Sequence, residues 1–499
     1  MKRLFAIFLG CLGVSFGFSM IAAGQVSPWM LEYPQNHLEW STLESDHFLV
    51  HYQQGCPESE APCPEQAQIE ETAQTILQIA EEVYGPITQL YDHIPDTKVS
   101  IILKDRVDYS NGAAYFFDNT IDIWLPSLDT PLRGTHEWYK NVIAHEFTHI
   151  VQIQTMMTRR RSIPVVYLQW LAYENERRPD VLYGFPRHVV TVPFASVGVP
   201  AWLAEGTAQF MTDSVNYDRW DSHRDMLFRT RLLGGTSLSL EEMGTFTSKS
   251  SIEREAVYNQ GFAFTLYLAD RFGESVLADI SRQAATGGQT DISTIIEQVT
   301  ESSGEELFET FLDEKREEYA RYFDSFEGHR WTELDTLDVD GFYNLMPRFI
   351  PGSDSLVWLS NGERDYARTQ LMVAPLDELR QQPNGSLLAT TQEEGWWSHE
   401  HSHYASHGLL QEPLMDYLTG GFSFNPTGDK IVYTKARKPN AQGELYNDLW
   451  VLDLKTKKES RLTTDARLSD PAWHPTQPWV VAIENQPGRQ QLVILSLED

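Results

Sequence analysis

The segment His145-Glu-Phe-Thr-His149 decides how the first part of this 499-residue chain is interpreted. Its two histidines lie about one helical turn apart, so both imidazoles project from one helix face and can share a metal ion. Glu146 lies beside them, where its carboxylate can take a proton from metal-bound water. Branched apolar residues flank the segment, which predicts a buried helix over 139–155. The alternative is a buried helix with two ordinary histidines.

A third ligand must come from elsewhere in the chain, because two imidazoles do not complete a zinc site. Gln152 and Thr155 stand where the metzincin class has glycine and histidine, which excludes that class. Glu205 is the better candidate, because it lies in Pro200-Ala-Trp-Leu-Ala-Glu-Gly-Thr-Ala-Gln209, whose small residues allow a helix to pack closely against the histidine helix. Other carboxylates follow the histidines in a charged stretch that is predicted to be exposed: Glu174, Glu176 and Asp180.

The two segments 145–152 and 200–208 resemble the peptidase MA-like group of gluzincin metallopeptidases, whose helix pair carries H-E-x-x-H and W-x-x-E-G. The resemblance covers roughly residues 40–325 and is strong only at these two helices. It implies a thermolysin-like zincin domain that hydrolyses peptide bonds, with Glu146 as the general base. It also implies one Zn²⁺ per chain, bound by His145, His149 and Glu205.

The same resemblance suggests two supporting residues. Some gluzincins have a carboxylate four residues after the third ligand, where it supports a zinc-bound histidine; Gln209 stands there in this chain, and Asp213 is a substitute. Related enzymes also place a tyrosine in a downstream helix, where its hydroxyl stabilises the oxyanion. Tyr258, in the segment Tyr258-Asn-Gln-Gly261 that is expected to open such a helix, is the candidate.

Two short strands are predicted just before the histidine helix, over 113–117 and 121–125, around an Asp118-Asn119 turn. Gluzincins bind extended substrate along an edge strand at this place in the chain. Gly112, Ala113 and Ala114 are therefore the candidate substrate-binding residues. An ordinary hairpin without such a role is the alternative.

Residues 1–24 predict a signal peptide, with a basic start, an apolar run and small residues before the cleavage point. The protein is therefore expected to be exported, either periplasmic or secreted; lipid anchoring at Cys11 is the less favoured alternative. Cys56 and Cys63 are flanked by prolines and predict a small disulfide loop in an oxidising compartment. A metal site there is disfavoured, because two thiols without a nearby histidine are too few ligands.

The composition changes after about residue 335, which predicts a peptidase domain over 25–335 and an all-β region over 336–499. Three repeats of a turn, a strand, a loop and a second strand begin near Pro347, Phe422 and Pro471. They resemble the blades of TolB-type β-propellers, and the match is good only in the Phe422 repeat. The expected fold class is therefore α+β, a zincin domain followed by propeller blades.

The propeller is expected to be incomplete, because closed propellers need at least four blades of about 40 residues each. Only three repeat starts are recognisable, so blades missing from the sequence or supplied by a partner chain would have to complete the ring. A compact four-bladed ring is the alternative. A cluster of histidines between the first two repeats is expected to form a surface loop rather than a metal site: His399, His401 and His403.

The formal net charge of −32 makes nucleic acid and anionic membrane surfaces unsuitable partners. No apolar stretch beyond the signal peptide is long enough to span a bilayer. The expected partners are a peptide or protein substrate and a protein partner at the propeller. A non-catalytic binding or assembly protein is the competing hypothesis, in which the zinc domain is a scaffold; an intact Glu146 argues against it.

Overall fold

The structure is a computed structural model. It describes residues 38–54, 64–127, 137–173, 186–287, 291–330, 344–361, 369–380, 415–436, 439–440 and 443–497, with the single residues 332, 334 and 337. Several predictions fall outside these residues: the signal peptide, the Cys56–Cys63 disulfide, the boundary at 335/336 and the histidine cluster over 399–403.

The first part of the chain contains a five-stranded mixed sheet. Its strands are β1 (Trp40–Glu44), β2 (Phe48–Gln53), β3 (Val99–Lys104), β4 (Gly112–Tyr115) and β5 (Thr120–Trp124), in the order β1-β2-β3-β5-β4. β2, β3 and β5 run parallel, whereas β4 is an outer strand antiparallel to β5. Alternate residues of β2 and β3 are buried, which is the pattern of a sheet covered on one face.

Two helices cover this sheet. They are α1 (Pro64–Tyr91) and α2 (Trp138–Thr155), and both contribute to one continuous apolar core. Phe147 of α2 packs edge-on against Phe48 of β2, with ring centroids 5.2 Å apart. Because almost all of α2 is buried, the histidine helix is a core element with its position fixed by packing.

Six further α-helices follow among the described residues of this part of the chain. They are α3 (Ala201–Ser214), α4 (Ser222–Leu233), α5 (Ser251–Phe272), α6 (Ser275–Ala285), α7 (Ile292–Thr300) and α8 (Gly304–Asp324). Ser250 and Glu253 form a capping box at the start of α5. The helix therefore begins before Tyr258, and the expectation that Tyr258-Asn-Gln-Gly261 opens it was wrong.

Between α2 and α3 the chain forms a two-stranded antiparallel hairpin, β6 (Val165–Tyr173) and β7 (Pro186–Ala195). The hairpin exposes large apolar side chains, among them Tyr167 at 59% and Trp170 at 75%. Its base is attached to the rest of the domain: the guanidinium of Arg159 donates to the carbonyls of Phe194 and Ala195.

The remainder of the chain is built mainly from strands in three antiparallel sheets. The first contains β8 (Asn344–Phe349), β9 (Ser355–Ser360), β10 (Thr369–Pro375) and β11 (Met415–Leu418), with the short helix α9 (Leu376–Arg380) after β10. The second contains β12 (Phe422–Phe424), β13 (Lys430–Lys435), β14 (Asp448–Asp453) and β15 (Lys458–Arg461). The third contains β16 (Leu468–Trp473), β17 (Trp479–Gln486) and β18 (Arg489–Ser496).

The fold is thus mixed α and β, as the sequence predicts. The repeat starts at Pro347, Phe422 and Pro471 each fall on the first strand of one of the three sheets. Among the residues that the structure describes, no helix is long and apolar enough to cross a membrane.

Candidate metal centre

The residues that the sequence singles out as metal ligands lie together. His145 and His149 project from α2, and Glu205 projects from α3 towards them. The His145 Nε2 atom is 3.1 Å from Glu205 Oε2, and the His149 Nε2 atom is 3.4 Å from the same oxygen. The two Nε2 atoms are 3.2 Å apart. All three side chains are buried, and Glu174, Glu176 and Asp180 lie outside the described residues.

This donor set fits a metal ion. Three ligand atoms bound to one zinc at about 2.0–2.2 Å in tetrahedral geometry lie roughly 3.3–3.6 Å from one another. The separations between the two imidazole nitrogens and the Glu205 oxygen are close to that range. One anionic and two neutral ligands leave room for a fourth, as in catalytic sites. Among the described residues this is the group of histidines and carboxylates that could hold a metal ion.

The electrostatics of the group favour an ionised carboxylate. Burial alone would raise the pKa of Glu205, but the two adjacent histidines outweigh it and hold that pKa well below its usual range. Burial lowers the pKa of His149, and the negative charges of Glu205 and Glu146 reverse that effect and raise it. A deprotonated carboxylate beside two imidazoles is the protonation state that a divalent metal requires of Glu205.

Close helix packing brings Glu205 to the histidines. The side chain of Gln152 on α2 donates to the Leu203 carbonyl of α3 at 3.2 Å. A Cβ at Gly206 of α3 would lie 2.6 Å from the Gly261 carbonyl oxygen of α5. A Cβ at Gly261 would lie 2.8 Å from the Trp202 carbonyl oxygen. Glycine at both positions therefore allows α3 and α5 to come into backbone contact.

Glu146 lies against the outer strand of the sheet. A Cβ at Gly112 would be 2.5 Å from the Glu146 Oε1 atom, so any other residue would require the carboxylate or the strand to shift. Ala113 and Ala114 follow in β4, where they pair with Asp122 and Ile121 of β5. The edge strand predicted to bind substrate and the carboxylate predicted to act as base are thus neighbours.

Tyr258 lies near the same group. Its ring is 6.5 Å from the His145 ring between centroids, and it stacks on Phe246 at 5.5 Å. Tyr258 lies about one turn before Gly261 in α5, the helix that contacts α3.

Gln209 and Asp213 are the two residues considered as support for a zinc-bound histidine. Gln209 is buried, but its Oε1 atom makes no hydrogen bond within the described part of the chain. Asp213 lies near Asp218 and Arg224, and burial together with the Asp218 charge raises its pKa. The Nδ1 atom of His149 is also buried without a hydrogen-bond partner among the described residues.

Sequence reasoning missed the polar network at the start of the histidine helix. Asn141 of α2 donates to Asp218 Oδ2 at 2.8 Å, and Arg224 binds the same carboxylate with both terminal nitrogens. Asp218 and Arg224 are almost fully buried. No spacing in the sequence signals this network, because Asn141 and Asp218 are 77 positions apart.

Comparison with known proteins gives only distant likenesses. No family model matches the chain, and no curated protein matches it. TolB from Acinetobacter baumannii is 15% identical over 32% of this chain and 31% of its own, with a TM-score of 0.22. The putative TolB from Agrobacterium tumefaciens is 13% identical over 32% of this chain and 46% of its own, with a TM-score of 0.21.

A third solved structure is an aminopeptidase N family protein from Idiomarina loihiensis. It is 12% identical over 51% of this chain and 43% of its own, with a TM-score of 0.27. The chain thus spans less than half the length of each of the three structures. Likenesses at this level define neither a family nor an activity.

Proposed function

We propose that the protein is an exported zinc metallopeptidase of the gluzincin type, with zinc bound by His145, His149 and Glu205. The observation that supports it is the convergence of these three buried side chains beside Glu146. The contact between Gly112 and the Glu146 carboxylate adds a second support, because a purely structural zinc site has no use for a carboxylate at a strand edge. We also propose the division into a zincin domain and TolB-like propeller blades.

A zinc ion at this site would polarise a water molecule and the carbonyl of the scissile peptide bond. The Glu146 carboxylate takes the proton of the attacking water and returns it to the leaving amine. The outer edge of β4 pairs with the main chain of an extended peptide and holds it beside Glu146. The hydroxyl of Tyr258 donates to the oxyanion that develops on the carbonyl oxygen.

Metal analysis and peptide cleavage test the proposal together. We expect about one zinc per chain and hydrolysis of an unstructured polypeptide by the zinc-loaded protein. Zinc binding without any cleavage would favour the competing hypothesis, a non-catalytic protein in which the metal domain is a scaffold. A survey of the cut peptides by mass spectrometry would define the cleavage preference.

The substitution Glu146→Gln isolates the base. The amide keeps the shape of the side chain but cannot accept the proton, so cleavage should fall by a factor of at least about 100. Zinc content and melting temperature should stay at the wild-type values, because Glu146 is not a ligand. Cleavage at near wild-type rate with zinc bound would exclude Glu146 as the general base.

A further inference from the structure

The three sheets formed by β8–β18, called the C-terminal sheets, contact the segment that leads into the edge strand β4. This lead-in segment, 105–111, connects β3 to β4 and pairs with the segment before β14. The Leu445 amide donates to the Arg106 carbonyl at 2.8 Å, and the Asp108 amide donates to the Leu445 carbonyl at 3.1 Å. Val107 and Leu445 thereby form a parallel β-bridge. Two regions of the chain that are remote in sequence share main-chain hydrogen bonds here.

Arg467 reinforces this pairing with charge. Its Nη2 atom is 2.8 Å from Asp105 Oδ1, and its Nε atom is 2.9 Å from Asp108 Oδ1. The guanidinium lies over the Tyr446 ring at 4.7 Å from the centroid, and the Tyr446 hydroxyl donates to the Asp105 carbonyl at 2.9 Å. The second carboxylate oxygen of Asp108 accepts from the Asn447 amide at 2.8 Å.

These charges are shielded from water. The side chain of Arg467 is 13% exposed and that of Asp108 is 3% exposed. Removal of one partner from an ion pair with this degree of burial strongly destabilises the folded protein, because the other charge is left uncompensated. Loss of Arg467 is therefore expected to loosen the lead-in segment from the C-terminal sheets.

A second contact joins the same two regions at the start of the histidine helix. The turn between β17 and β18 places the Gly488 amide 2.8 Å from the hydroxyl of Tyr139 on α2. The side chain of Gln68 on α1 donates to the Pro487 carbonyl at 2.8 Å. The C-terminal sheets thus touch both the helix that carries the histidines and the segment before the edge strand.

We propose that the C-terminal sheets position β4 against Glu146, and that Arg467 is the positioning residue. The inference rests on the proposed peptidase function, because β4 matters there as the strand that binds substrate. β4 has only four residues and, among the strands that the structure describes, pairs with β5 alone, so its own hydrogen bonds fix it weakly. The lead-in segment supplies the missing constraint at its start. Holding β4 in advance lowers the ordering cost when a peptide pairs with it.

The first test needs no activity. Hydrogen–deuterium exchange of residues 106–115 should quicken at least about tenfold in Arg467→Met, because the strand opens more often once its anchor is lost. Asp108→Asn keeps the shape of the side chain and should show a smaller change in the same direction. Arg348→Met is the control, since Arg348 is exposed on β8 and donates to the neighbouring Pro347 carbonyl. It should leave exchange at 106–115 unchanged.

The second test separates positioning from general damage. For a peptide of about ten residues, which can pair with β4, KM should rise about tenfold in Arg467→Met. For a blocked dipeptide that reaches only the metal and Glu146, KM and kcat should stay within about twofold. Zinc content should not change in Arg467→Met or in Asp108→Asn. Equal losses for both peptides would mean a merely structural role and would overturn the inference.

Unchanged exchange at 106–115 in both Arg467→Met and Asp108→Asn would overturn the inference and leave the proposed function intact. Failure of the zinc-loaded wild-type protein to cleave either peptide would instead overturn the proposed function. The exchange measurement on that protein would still decide whether the C-terminal sheets fix β4.

Discussion

Gly112 has no side chain, and this allows the edge strand β4 to approach the candidate base Glu146. A Cβ at residue 112 would lie 2.5 Å from the Glu146 carboxylate and 2.5 Å from Val142 Cγ2. Both distances are far below van der Waals contact, so either the strand or the carboxylate would have to move. Glycine at this position therefore allows the Glu146 carboxylate to lie where it does beside β4.

We expect Gly112→Ala to lower kcat/KM for peptide cleavage by about 100-fold, because displacement of the base or the strand by about 1 Å misaligns the reaction. Zinc content should stay at the wild-type level, since none of the three ligands is touched. Gly198→Ala is the control, because a Cβ there has nothing within 4 Å. Near wild-type cleavage by Gly112→Ala would show that the strand adjusts without consequence.

At this scale the sequence predicted the residues that combine local spacing with chemistry. His145, Glu146 and His149 lie within one turn of a helix, so their spacing defines their geometry. The choice of Glu205 needed the small residues around it. The contact between Gly112 and Glu146 could not be predicted, because it depends on how a strand and a helix pack, which no local pattern encodes.

Among the elements, the α3–α5 contact depends on the absence of side chains at two positions. Its two helices approach through Gly206 and Gly261, and added methyl groups there would meet backbone atoms of the other helix at 2.6 and 2.8 Å. A backbone carbonyl cannot rotate away as a flexible side chain can, so the helices themselves would have to separate. Because Glu205 is next to Gly206, such a separation also moves a candidate ligand.

We expect Gly206→Ala to lower the free energy of unfolding by about 1–3 kcal/mol, the usual cost of overpacking a core. Its zinc affinity should fall as well, because Glu205 shifts with α3. The control is Gly198→Ala, where an added Cβ has nothing within 4 Å. There the same change should alter stability by less than about 0.5 kcal/mol, because no neighbouring atom has to move.

Denaturant unfolding of both variants measures these changes, and titration with zinc measures the affinity. A stabilised Gly206→Ala variant would show that α3 and α5 are less tightly packed than the structure indicates. Because the chemical change is the same in both variants, their difference measures the cost of overpacking between α3 and α5.

The start of α5 illustrates where element boundaries escape a sequence pattern. Apolar periodicity suggested that a helix opens at Tyr258, but it begins at Ser251, after the Ser250–Glu253 capping box. Residues around most of its circumference are buried, so the contrast between an apolar and a polar face is weak. The S-x-x-E spacing was the signal that could have located the start.

At the scale of the whole molecule, the order of the elements could be predicted, but the contacts between distant parts could not. Helices with a mixed sheet followed by antiparallel sheets agree with the change in composition after about residue 335. The contact between Arg467 and Asp108 joins residues 359 positions apart. Charged residues are common on surfaces, so neither one stands out in the sequence as a buried partner.

Removal of the metal should act on the whole helical domain, because the candidate ligands connect α2 to α3 and a bound ion stabilises only the folded state. With zinc at about 1,000 times its dissociation constant, the stabilisation is about 4 kcal/mol. We therefore expect a strong chelator to lower the melting temperature and added zinc to restore it. Magnesium should not restore it, because Mg²⁺ prefers oxygen ligands in octahedral geometry.

The variant His149→Ala removes one ligand and should melt at the same temperature with chelator and with zinc. Glu146→Gln should respond to both as the wild-type protein does, because it keeps all three ligands. This contrast separates binding from catalysis: the first variant loses the response to metal, and the second loses only cleavage. Equal melting temperatures of the wild-type protein in chelator and in zinc would contradict a metal site formed by His145, His149 and Glu205.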